Sequence, residues 1–197
     1  MILDKRLDEI ASKLKRLKKY DKKLKVFGTD SHKYKSKKVS PKKLAKLEKK
    51  LGIELPEAFK LFLLKIGTGA GPDYGIFKFK RMEQELEIWK KYLREQNPNK
   101  PFDLLNTDAE ELIKKKIEDE KTYHYKRLKT ANGVLPIATE GCTYYFYLVL
   151  SGEQKGKVWG IDVDHYNTMP AGLTKEFSFL EWYENWLDIS LSKRKKK

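Results

Sequence analysis

Residues 142–164 read CTYYFYLVLSGEQKGKVWGIDVD, two arms rich in aromatic and β-branched residues around a loop, Ser151 to Gly156, with a glycine near each end. That is the sequence form of a β-hairpin, and it puts the centre of a sheet here. Along the first arm Tyr144, Phe146, Leu148 and Leu150 share one face, while Tyr145, Tyr147 and Val149 share the other. Strand side chains alternate between faces, so this arm is expected to be covered on both sides. Along the second arm Trp159, Ile161 and Val163 alternate with Val158, Gly160, Asp162 and Asp164. The alternation predicts one buried face and one face open to water or to a partner.

Working outward from the hairpin, Gly133 to Thr139 reads as a neighbouring strand, with Pro136 marking a sheet edge or a bulge. Downstream, Ser178 and Glu181 have capping-box spacing, with Phe177 and Trp182 placed as the hydrophobic staple around a final helix. Phe179, Trp182, Tyr183, Trp186 and Leu187 give that helix its packing face. Upstream, Ser40 followed by Pro41 starts a helix that buries Leu44, Leu47 and Leu51 and stops at Gly52. A second helix from Pro56 carries Phe59, Phe62, Leu63 and Ile66 up to Gly67, and its aromatic face predicts the helix that covers the sheet. Ile76 to Phe79 reads as a short strand, and Arg81 to Gln96 as a helix burying Leu86, Trp89 and Leu93. Thr107 with Glu110 opens a charged helix toward Leu128, a surface insertion.

At the start of the chain Leu3, Leu7, Ile10, Leu14, Leu17 and Leu24 step by three and four, broken only by Asp21. This is an amphipathic helix with a lysine-coated outer face, which packs on its own domain, on a second copy or on a partner. Residues 28–40 have no period and read as a polar linker. The expected organisation is therefore residues 1–39 as basic helix and linker, 40–191 as the domain with an insertion at about 81–128, and 192–197 as a lysine-rich tail. Residues 1 to about 30 are expected to be dispensable for the core fold. Helices segregated on a mostly antiparallel, twisted sheet make the fold class α+β.

With 197 residues, 40% hydrophobic and 12% aromatic, the chain suits one globular domain with extensions. One cysteine excludes an internal disulfide; without an apolar run near 18 residues or a signal-peptide pattern, a cytoplasmic protein without membrane contact is expected, as a monomer. The net charge of +15 is unevenly spread. Residues 1–50 carry about 19 basic against 6 acidic side chains and residues 193–197 five basic ones, leaving about 19 basic against 22 acidic in the body. The excess is mostly lysine rather than arginine, so any nucleic-acid binding is expected to be weak, non-specific and confined to the ends.

Chemistry-bearing patterns are weak. The glycine run from Gly67 to Gly75 follows a helix and precedes a strand, the reverse of a phosphate-binding loop, and reads as a tight turn. Cys142 at the head of an apolar strand has no nearby histidine pattern. Asp162, Asp164 and His165 have no accompanying ligand motif, and His32 and His124 lie in charged stretches. No catalytic residue, metal or cofactor is expected.

The succession Leu51-Gly52-Ile53-Glu54-Leu55-Pro56 leading into Phe59 and Phe62, then Ile66 through Gly75, resembles the N-terminal half of the SUKH superfamily, also called the Smi/Knr family. Gly141-Cys142-Thr143, Leu148 to Gly152, Gly156 to Trp159, and the closing Phe179, Trp182, Tyr183, Trp186 and Leu187 are similar to its later blocks. The resemblance covers roughly residues 40 to 190 and implies a non-catalytic α+β domain. Bacterial members are commonly immunity proteins that neutralise polymorphic toxins, often nucleases, and fungal members regulate glucan synthesis. The resemblance therefore implies a protein partner, foremost a cognate toxin domain. A regulator or scaffold role and a weak nucleic-acid binder are the alternatives. The partner-binding candidates are Asp73, Tyr74, Glu140, Asp162, Asp164 and Tyr166, on the expected open sheet face and its edge loops.

Overall fold

The computed structural model describes residues 2–93, 97–102, 132–162, 167–171 and 176–195. Its elements in chain order are α1 (Ile2–Tyr20), α2 (Thr29–His32), β1 (Ser36–Lys37), α3 (Pro41–Leu51), α4 (Glu57–Lys65), β2 (Thr68–Gly69) and α5 (Phe79–Leu93). There follow β3 (Val134–Gly141), β4 (Tyr144–Val149), β5 (Lys157–Asp162), β6 (Asn167–Pro170), β7 (Phe177–Ser178) and α6 (Phe179–Lys195). The larger sheet runs β3-β4-β5-β6, antiparallel throughout, with β7 also paired to β5. The fold is α+β, as the hairpin and the helix caps require.

The caps form where the sequence places them. Ser40 accepts a hydrogen bond from the Lys43 N–H at the head of α3. Glu181 accepts from the Ser178 N–H at 2.9 Å and from its hydroxyl at 2.7 Å, closing the box at the head of α6. Register shifts interrupt the β3–β4 ladder between Pro136 and Ala138 and again between Thr139 and Gly141. Proline has no N–H to give, and here it sits in an edge strand beside a bulge.

Two apolar clusters sandwich the sheet. On one side Leu148, Leu150 and Val158 join Phe59, Phe62, Phe179 and Tyr183 in the main core. On the other, Val134, Tyr147, Val149, Trp159 and Ile161 form a second cluster with Phe102. Both faces of β4 are thus covered, as its sequence predicts. The open face expected for β5 is corrected: Val158 is fully buried and Gly160 is buried with it. Gly160 lies opposite Phe146, whose ring packs on Trp182 of α6 at 5.1 Å between centroids, so a larger neighbour covers the side-chain-free position.

Three further expectations change. The helix against β5 is α6, while α4 packs on α6 and α1; Phe59 and Phe62 both meet Phe179 edge-on, at 4.7 and 4.8 Å. Residues 76–79 form no ladder. Ile76 exchanges hydrogen bonds with Gly69, and the Phe77 N–H donates to the Ile137 carbonyl before α5 begins. Residues 28–40 are not a linker: they hold α2 and β1, with Thr29, His32 and Tyr34 buried and β1 paired to β2. The glycine run does form a close-packed turn, since a Cβ on Gly75 would lie 2.0 Å from the Gly69 carbonyl oxygen. The Trp89 and Leu93 side chains, and the helix expected from Thr107 to Leu128 with His124, lie outside the described residues.

The stripe of α1 is buried at Leu7, Ile10, Leu14 and Leu17, all within the main core and against α6 and α4. Arg6 donates to Glu184 at 2.6 Å and Lys13 to Asp188 at 2.8 Å, so ion pairs flank the seam. Asp21, which breaks the stripe, ends the helix instead. Its buried carboxylate accepts from the Lys25 and Val26 N–H groups at 2.8 and 3.0 Å and from the Tyr34 hydroxyl at 2.7 Å.

Candidate partner-binding surface

The glycine-rich turn presents Asp73 and Tyr74. The Gly75 N–H donates back to the Pro72 carbonyl at 2.8 Å, and Asp73 takes a left-handed φ of 52°. The Tyr74 N–H donates to the Thr139 carbonyl at 3.3 Å, which fastens the turn to the bulged end of β3. From the other side the loop after α1 presses on it: a Cβ at Gly28 would lie 2.1 Å from the Asp73 carbonyl oxygen, so only glycine fits. The Ser31 hydroxyl donates to the Gly28 and Tyr74 carbonyls at 2.6 and 3.3 Å.

This corner brings three of the sequence-derived candidates together. Asp73 is half-buried, and burial first, then the charge of Glu140, pushes its carboxyl up to about 7. Among the described residues neither carboxylate has a basic group within ion-pair distance. Glu140 is exposed, and Tyr74 is 43% exposed with its ring edge-on to Phe27 at 5.8 Å. The fourth candidate, Asp162, reaches the same end of the sheet through the register Gly141↔Tyr144↔Asp162. Two strand spacings put its backbone about 10 Å from Gly141. Asp164 and Tyr166, like Val163 and His165, lie outside the described residues. The face of β5 that holds Val158 and Gly160 is not an open sheet surface, so what the corner presents is a sheet end and its loops.

Beside Asp73 opens a groove of about 600 Å³. Lys25, Val26 and Phe27 line one wall and Trp186, Ile189 and Lys193 the other. Phe27 is 58% and Ile189 45% exposed. None of these was singled out for binding from sequence. A signal existed in Phe27, an aromatic residue in a polar stretch, and in Ile189, which stands apart from the packing face of α6. His32, set aside as a surface residue, is buried beneath the corner; burial lowers its pKa, against the pull of the Gly71 and Asp73 main chain. It stacks edge-on with Tyr34 at 5.5 Å and with Trp186 at 6.3 Å.

Among the described residues no group of three His, Cys, Asp or Glu side chains is placed to hold a metal, and no helix is long and apolar enough to cross a membrane. Cys142 is exposed in the β3–β4 turn at φ 46°, rather than buried at the head of a strand. What the corner supplies is exposed aromatic surface beside two carboxylates that have no ion-pair partner among the described residues. No curated protein matches the chain. One family model matches it over residues 38–186, from just before α3 into α6.

Proposed function

The chain belongs to the SMI1 / KNR4 family (SUKH-1), and from that premise we propose that it is an immunity protein that binds a polymorphic toxin domain through this corner. Domains of the family generally bind protein partners, as immunity proteins or as regulators, and generally do no chemistry of their own. The observation that carries the reading is the Asp73–Glu140 pair beside exposed Tyr74 and Phe27. Two neighbouring carboxylates without a cation repel each other, and a cationic partner surface relieves that repulsion while steering the encounter. Tyrosine suits such a place because its ring buries apolar area and its hydroxyl finds a hydrogen bond. A toxin that acts on nucleic acid would present such a cationic surface.

The test pairs the full chain with the C-terminal effector domain of a toxin found in a neighbouring gene. Co-expression should relieve toxicity and the two proteins should co-elute. Asp73→Asn with Glu140→Gln should slow association by about tenfold at low salt without lowering the thermal midpoint. Unchanged association and protection in that double variant would remove the corner as the binding surface; failure of the wild-type chain to bind would remove the immunity role.

A further inference from the structure

The groove beside Asp73 is built almost wholly from residues that the family match does not cover. Lys25 and Phe27 precede residue 38, and Ile189 and Lys193 follow residue 186; only Asp73 and Trp186 of its lining lie within. It is a feature of this chain's own flanking segments. Phe27, Ile189 and Tyr74 are three of the six large apolar side chains left exposed among the described residues, and they gather at this one corner. Clustered exposed apolar side chains mark an interaction site, where scattered ones do not.

Charge decides what fits. Lys25 and Lys193 stand on the two walls, both exposed and neither within ion-pair distance of a carboxylate among the described residues. Lys22 and Lys23 extend the basic rim along the loop after α1. Asp73 is the acidic lining residue, and with its pKa raised to about 7 it carries only about half a charge near pH 7. A second copy of this chain, at net charge +15, would bring lysine to lysine.

We propose that the groove receives an acidic segment of the protein partner, with one aromatic or aliphatic side chain seated between Phe27 and Ile189 and flanking carboxylates held by Lys25 and Lys193. This rests on the protein-binding reading above and adds the chemistry of what is bound. The corner is then electrically split, with carboxylates toward the sheet and lysines toward the groove. A partner with the matching split docks in one orientation only.

The full chain is titrated with three fluorescently labelled ten-residue peptides: an acidic one with a central Trp-Leu pair, an acidic one with Ala-Ala there, and a lysine-flanked Trp-Leu peptide. At moderate salt the first should bind at least about tenfold more tightly than the other two. Ile189→Asp should weaken it by about tenfold or more, as should Lys25→Glu with Lys193→Glu, with thermal midpoints unchanged because all three positions are exposed. Equal binding of both acidic peptides would reduce the site to a polyanion surface and overturn the proposal. So would groove variants that bind like wild type. Self-association abolished by Ile189→Asp, without peptide binding, would make a second copy the occupant. None of these results depends on the carboxylate variants that test the immunity role, so either idea can fail alone.

Discussion

At Asp73 two unfavourable conditions coincide, a half-buried carboxylate and a second carboxylate beside it, and they set how stability responds to pH. The folded-state pKa of about 7 lies above the ordinary 3.8, so the folded chain holds this proton more tightly than the unfolded one. The group's contribution is fully present below about pH 4 and is lost as pH rises toward 7. Asp73→Asn removes the charge and keeps a side chain that tolerates left-handed backbone. We expect the variant to match wild type in thermal unfolding at pH 4 and to be about 1–2 kcal/mol more stable at pH 8. Identical pH dependence of the two proteins would show that Asp73 titrates normally. Asp21 is the opposite case, a buried carboxylate fully used by main-chain and tyrosine donors. Asp21→Ala should cost about 3 kcal/mol in urea unfolding, since charged acceptors contribute more than neutral ones and the donors stay buried. In the sequence Asp21 reads only as an interruption of a hydrophobic stripe. Its role was not legible because Tyr34, the side chain it serves, comes from a stretch with no periodicity of its own.

At the scale of elements, what local chemistry specifies was legible and what a distant neighbour specifies was not. The caps of α3 and α6, the hairpin and the bulge at Pro136 follow from residues within a few positions of one another. The second face of β5 does not. Val158 and Gly160 stand where the sequence alternates like an exposed face, yet both are buried, Gly160 opposite Phe146 and its contact with α6. The same limit applies to the candidate corner: Asp73, Tyr74 and Glu140 stood out as polar loop residues, whereas the groove exists only because both ends of the chain fold against the glycine turn. The helix α1 tests this most directly. Leu7, Ile10 and Leu17 are buried as completely as any core residue, although the family match begins after them. Burying each such side chain contributes about 1.5–3 kcal/mol, so these three with Leu14 rival the whole stability of a domain. We therefore expect a chain beginning at residue 36 to lose cooperative unfolding, and Ile10→Ala in the full chain to cost about 2–4 kcal/mol. A truncated chain that unfolds cooperatively with an unchanged midpoint would restore the boundary at residues 39 and 40.

For the whole molecule, part of the surplus of positive charge lies on α1, which carries seven basic against three acidic side chains and buries its apolar stripe in the core. Lys5, Lys15, Arg16, Lys18 and Lys19 are exposed on the outer face of α1, and none has an ion-pair partner among the described residues. Removing the helix to test polyanion binding would also take Leu7, Ile10, Leu14 and Leu17 out of the core, so charge is better taken away in place. Changing these five to Gln should leave the thermal midpoint within a few degrees of wild type. Any affinity for a non-specific duplex should fall, along with the steepness of its salt dependence, because each lost phosphate contact releases fewer counterions. Unchanged, sequence-selective binding by this variant would place nucleic acid among the specific partners and count against the immunity role.

The seam between α1 and α6 joins residues as far apart in the chain as Arg6 and Glu184, a separation of 178 positions. On a ribosome adding about 5–20 residues per second, α1 waits on the order of ten to thirty seconds for α6, with Leu7, Ile10, Leu14 and Leu17 uncovered meanwhile. Nascent chains stalled before residue 179 should accordingly remain protease-sensitive throughout, and protection should arrive in one step when α6 leaves the exit tunnel. Until α6 arrives, α1 is soluble on its lysine-coated face and adhesive on the other.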